Sequence, residues 1–145
     1  MEITRSYRRV NADGSTTPLD VPKPGDLVRI DLEIILANDD LRYLVVEDRL
    51  PAIFEAINDS FESQSGPANA GGSSQGDWSV SHTEIRGDRA MFFFDRIWTR
   101  GRHTLTYLAR CTMTGTSMAP PAKVESMYDP DNTTLSASRT FQSKE

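Results

Sequence analysis

Asp26-Leu-Val-Arg-Ile-Asp-Leu-Glu-Ile-Ile-Leu-Ala37 is the run that decides the fold. Val28, Ile30, Leu32, Ile34 and Leu36 fall on one side of an extended chain, and Arg29, Asp31 and Glu33 on the other. Successive strand side chains point to opposite faces, so this run predicts a half-buried strand with an apolar inner face. The same period returns at 41–49, 78–85, 89–95 and 102–113, where Leu105, Tyr107, Ala109 and Cys111 share a face. Residues 3–10 and 134–142 read likewise, with Leu135, Ala137 and Phe141 predicted to be buried.

Turn-forming clusters punctuate these runs. Asn11-Ala12-Asp13-Gly14 closes the first strand, and Asn38-Asp39-Asp40 predicts a hairpin between 26–37 and 41–49. Arg86-Gly87-Asp88 predicts a tight hairpin with Gly87 at positive φ, a better account of it than its integrin-type spelling. Helical periodicity is confined to one predicted turn at 54–61. About seven strands with turns between them make an all-β chain, an antiparallel β-sandwich.

The chain has 145 residues, enough for one domain that needs no staples. Its net charge of −5 argues against nucleic-acid binding, which requires a basic face to release counterions. Cys111 is the only cysteine, so an internal disulfide and a thiolate zinc site are excluded. In an alternating strand it is expected to act as a small buried hydrophobe. No run reaches the roughly 20 apolar residues of a membrane span, and the first residues lack a signal-peptide core. Met1-Glu2-Ile3 opens inside a predicted strand, as expected of a domain cut from a larger protein. Residues 63–77 are too polar and glycine-rich to offset their own ordering, which predicts a mobile loop between strands.

The residues that carry catalysis elsewhere are not assembled here. His82 and His103 lie in different strands with no cysteine or carboxylate at metal-ligand spacing, and each is expected to be a strand-face residue. Asp129-Pro-Asp131-Asn132 resembles the start of a calcium loop but lacks its glycine and terminal glutamate. Glu47 and Asp48 are adjacent on a strand and face opposite ways, which rules out a carboxylate dyad. No nucleophile elbow or phosphate-cradling glycine loop occurs. The chain therefore reads as non-enzymatic. What stands out instead is Met127-Tyr128, an apolar pair in a polar run just after the double proline Pro120-Pro121. Asp129-Pro130 follows, and proline's fixed φ together with the restricted residue before it predicts a shaped loop.

Taken in order, several segments resemble the C-terminal macroglobulin domain of bacterial alpha-2-macroglobulins. They are Gly25-Asp-Leu-Val-Arg-Ile30, Tyr43-Leu-Val-Val-Glu-Asp-Arg-Leu-Pro-Ala52 with Phe54-Glu55, and Glu84-Ile-Arg-Gly-Asp-Arg89 with Phe92-Phe93-Phe94. Thr106-Tyr-Leu-Ala-Arg110, Pro120-Pro121-Ala122 and Met127-Tyr128-Asp129-Pro130 complete the series, from about Tyr7 to Phe141. The resemblance implies a single macroglobulin-type sandwich over 1–145, set in a multidomain protease trap on the periplasmic side of the envelope. In that family a bait region is cleaved, and an internal thioester then links to the protease; both lie in other domains. Cys111 sits in no thioester motif, so this chain is expected to trap nothing alone. The implied partners are the thioester domain and neighbouring macroglobulin domains, with target proteases met only indirectly and no cofactor or metal. A thioester survives only while water and amines are excluded, and the implied role of Met127, Tyr128, Asp129 and Pro130 is to dock there and shield it. Related sequences continue with a glycine–arginine pair where this chain has Thr134-Leu135, so that arginine is missing as an anchor for the loop. The alternative is an independent adhesion module that binds through 63–77 or the 86–88 hairpin.

Overall fold

The computed structural model describes residues 1–57, 82–97 and 100–145. Strands β1 (Glu2–Val10), β2 (Thr16–Pro18), β3 (Leu27–Leu36), β5 (Phe54–Ala56) and β8 (Gly101–Cys111) form one sheet, in the order β2-β1-β3-β8-β5. Strands β4 (Leu41–Arg49), β6 (His82–Arg86), β7 (Arg89–Ile97), β10 (Lys123–Ser126) and β11 (Asp129–Leu135) form the second, in the order β11-β10-β4-β7-β6. A two-stranded sheet pairs β9 (Gly115–Ala119) with β12 (Arg139–Ser143). Every pairing is antiparallel. The molecule is all-β, as the alternation predicts, and no described segment is a helix long and apolar enough to cross a membrane. Short β2, β5, β9 and β10, together with the division of the last predicted strand into β11 and β12, bring the described strands to twelve, above the seven or so that the sequence suggested.

Strand β3 does what its sequence dictates. Val28, Ile30, Leu32, Ile34 and Leu36 are all buried, and it pairs along its length with β1 and β8. Leu44 and Val46 of β4, and Ala90, Phe92, Phe94 and Ile97 of β7, meet them from the other sheet. Each fully buried side chain of this size stabilises the fold by about 1.5–3 kcal/mol over leaving it in water. Cys111 lies in this core as expected, fully buried with its Sγ 3.4 Å from the Ser143 hydroxyl.

Several local expectations are corrected. Asn38-Asp39-Asp40 does not close a hairpin: β3 and β4 lie in different sheets, and the turn is an arch between them with Asp40 at φ 56°. The arch is held from outside, since Asp39 accepts the Arg100 N–H at 2.7 Å and Asp40 is paired with Arg96. The helical turn at 54–61 gives way to β5, which pairs Phe54 with Cys111 and Ala56 with Ala109; residues 58–61 lie outside the described residues. The strand predicted at 134–142 is two strands. Between them, Ser136 exchanges hydrogen bonds with Ala122 and Ala137 receives Arg5, which turns the chain out of the second sheet. Phe141 is buried there, whereas Leu135 and Ala137 are exposed.

The 86–88 hairpin exists with Arg86 opposite Arg89, but Gly87 does not take positive φ. Its shape is set by neighbours instead: the Gly87 carbonyl accepts the Ala56 N–H and the Asp88 carbonyl accepts that of Leu50. The 11–14 turn does use a left-handed glycine, Gly14 at φ 90°. The 63–77 segment and the first residues of the 78–85 strand lie outside the described residues.

Candidate functional site

Met127 and Tyr128 form the two-residue turn of the β10–β11 hairpin, flanked by the pair Ser126 and Asp129. Neither takes positive φ, so the turn needs no glycine. β11 is the outer strand of its sheet. Its register shifts between Glu125, opposite Thr133, and Ser126, opposite Asp129, so the strand bulges where Pro130 stands. A proline offers no N–H to a ladder, which confines it to edges and bulges of this kind.

The turn is displayed to solvent. Met127 is 52% exposed and Tyr128 78% exposed, so Tyr128 does not cap the core. Asp129 is also exposed. Two contacts hold the turn to β4. The Met127 N–H donates to the Tyr43 carbonyl at 2.8 Å, and the Tyr128 ring meets the Tyr43 ring edge-on at 4.8 Å. Sequence reasoning passed over Tyr43, whose position in an ordinary strand pattern carried no sign of this contact.

A second polar feature was also missed. Asp48 is completely buried between the sheets, where Arg5 donates to one carboxylate oxygen and to the Pro120 carbonyl at 2.7 Å. The Tyr107 hydroxyl donates to the other oxygen. Burial pushes the Asp48 carboxyl above the usual carboxylate range, against the opposing pull of Arg5 and the Tyr107 O–H. The same burial, with the nearby Asp48 charge, raises the phenols of Tyr107 and Tyr7. A buried acid of this sort can mark chemistry. Here the carboxylate is saturated by an arginine and a phenol, an arrangement that bridges the two sheets.

The remaining candidates are dispersed. His82 lies 3.6 Å from Glu84 against the Phe93 ring, while His103 is buried on the inner side of β8. Glu47 turns outward to Arg89, opposite in direction to Asp48. Among the described residues no three His, Cys, Asp or Glu side chains group where a metal could sit. Arg86 and Asp88 form ion pairs within their own sheet, with Glu84 and Arg89.

Residues 1–131 match the family described as the Bacterial Alpha-2-macroglobulin MG10 domain. The chain belongs to that family. It is 30% identical over 134 residues to an alpha-2-macroglobulin of Pasteurella multocida, covering 89% of this chain and 6% of the relative. It is 35% identical over 130 residues to an alpha-2-macroglobulin of Escherichia coli, covering 83% of this chain and 8% of that protein. Its fold superposes on a trypsin-activated alpha-2-macroglobulin from Escherichia coli with a TM-score of 0.79 and 29% identity, over 99% of this chain and 10% of the other. The MG10 chain thus spans under a tenth of the length of these two curated relatives. They are multidomain chains, and an MG10 domain sits among other macroglobulin domains in them.

Proposed function

We propose that this MG10 chain is the non-catalytic, C-terminal domain of a bacterial alpha-2-macroglobulin-type protease inhibitor, and that it docks on and shields the thioester domain. The observation that carries this reading is the Met127-Tyr128 turn: a thioether and a phenol side by side at a hairpin tip, both exposed, in a chain of this family. A thioester is an activated acyl group, and its lifetime depends on excluding water and amines. Apolar groups do this without offering a nucleophile of their own, and an exposed aromatic with a neighbouring methionine is suited to an interdomain contact. Asp129 and Pro130 belong to the same docking element, because they continue directly from the turn into the irregular start of β11.

The partners of the domain are then the thioester domain and the other macroglobulin domains of the same protein. Proteases are met through the whole inhibitor; the Escherichia coli relative solved in a trypsin-activated state supports that link. The periplasm or cell envelope is the compartment that fits such an inhibitor. In the full-length protein, Met127→Ala and Tyr128→Ala should each raise the rate at which methylamine consumes the thioester, with the domain still folded. Rates equal to wild type in both variants would remove the shielding role.

A further inference from the structure

We propose that Tyr43 is a positioning residue that fixes the Met127-Tyr128 turn in its displayed conformation. The inference rests on the reading of that turn as a thioester lid. Tyr43 sits at φ 56°, in the left-handed region that a large side chain rarely adopts. Such a backbone persists where the surrounding contacts over-determine it, and it concentrates at functional elements. The geometry here shows what the unusual backbone achieves. Along β4, Leu44, Val46 and Asp48 face inward in regular alternation, which would place Tyr43 and Leu41 outward and Arg42 inward. Instead Leu41 packs against the core, while Arg42 and Tyr43 are both exposed. The kink at Tyr43 shifts the alternation by one residue. At this kink the Tyr43 carbonyl accepts the Met127 N–H, extending the β10–β4 register by one residue, and the Tyr43 ring stands against that of Tyr128.

The two contacts act on different parts of the lid. The carbonyl bond holds the backbone of the turn to the sheet, and the ring contact limits the directions Tyr128 can take. Leucine or alanine at position 43 would keep the first and lose the second. In this chain the anchoring of the tip comes from Tyr43.

The test combines reactivity in the full-length protein with a spectroscopic signature in this domain. Methylamine consumption of the thioester is measured for Tyr43→Ala, Tyr43→Phe, Tyr128→Ala and the double alanine variant. Tyr43→Ala should accelerate the reaction about 2- to 12-fold, the range that loss of one aromatic pair corresponds to. Tyr43→Phe should match wild type, because it keeps the ring. The double variant should react no faster than Tyr128→Ala alone, since Tyr43 works through Tyr128. In NMR spectra of the domain, the Tyr128 ring protons should lose their ring-current shift in Tyr43→Ala and keep it in Tyr43→Phe. A fast Tyr128→Ala beside a wild-type Tyr43→Ala overturns the positioning role and leaves the lid intact. Additive effects in the double variant overturn it too, making Tyr43 an independent covering residue. If Tyr128→Ala itself reacts like wild type, Tyr128 covers nothing and this inference falls, whereas the lid reading falls only when Met127→Ala reacts like wild type as well.

Discussion

At the scale of single residues, the two tyrosines of the core make a controlled comparison. Tyr7 and Tyr107 are both 4% exposed, but among the described residues only Tyr107 has a partner for its hydroxyl, the Asp48 carboxylate. Tyr107→Phe should cost about 1.5–3 kcal/mol, as expected for a hydrogen bond to a charged group whose partner is left buried. Tyr7→Phe should be near neutral, because the phenylalanine keeps the edge contact to Phe141 and removes an oxygen with no bonded partner among the described residues. Urea unfolding of the two variants decides it, and equal losses would contradict the assignment. The inward placement of these groups was legible: Ile3, Arg5 and Tyr7 share one strand phase, as do Leu44, Val46 and Asp48. That Arg5 and Asp48 would meet was not, because strand phase says nothing about which strands face each other across the sandwich. The Met127-Tyr128 pair was legible as a displayed turn because two large apolar residues stood in a run of turn formers. Tyr43 was hidden, since a positive φ at a tyrosine has no sequence signature.

At the scale of elements, the alternation of β3 and β8 specified both strands nearly to the residue. Pairing was harder to read. Asn38-Asp39-Asp40 has the composition of a hairpin turn, yet the same residues serve an arch between sheets, and the choice depends on partners distant in sequence, Arg96 and Arg100. The end of the chain shows the same limit. A single strand at 134–142 would have put Leu135 and Phe141 on one face, but the bonds of Ser136 to Ala122 break the strand between them. The division has an energetic consequence. Phe141 of β12 is 1% exposed and packs its ring against Tyr7 at 4.8 Å and Phe54 at 5.2 Å, which fastens the small β9–β12 sheet to the main core. Phe141→Ala should cost about 3–5 kcal/mol, a large part of the stability of a domain this size. Leu135→Ser, at an exposed position, should change it by less than about 0.5 kcal/mol. Comparable shifts in the denaturation midpoints of both variants would mean that the chain is continuous through 136–138.

At the scale of the whole molecule, one cluster couples the sheets and gives the domain a directional response to pH. Tyr7 and Tyr107 come from the first sheet and Asp48 from the second. Burial first, and the Asp48 charge second, raise both phenols above their ordinary value near 10. The folded state therefore binds these two protons more tightly than the unfolded chain does. Their contribution to stability is complete below about pH 10 and is lost as pH climbs from there toward the folded values, at up to about 1.4 kcal/mol per pH unit for each phenol. Asp48 has a raised pKa as well, so by the same sign it adds no loss of stability on the acid side. The urea midpoint should fall steeply above pH 10, and Tyr7→Phe or Tyr107→Phe should each remove about half of that extra slope. Phenolate absorbance near 295 nm should show the two buried groups ionising together with the loss of sheet signal in circular dichroism. A Tyr107 phenolate would lie beside the Asp48 carboxylate between the sheets, where burial leaves two like charges poorly screened. Both sheets share the consequence, so the alkaline transition should be a single cooperative one. Ionisation of Tyr107 with the sandwich intact would show that the Asp48 cluster opens locally and does not hold the sheets together.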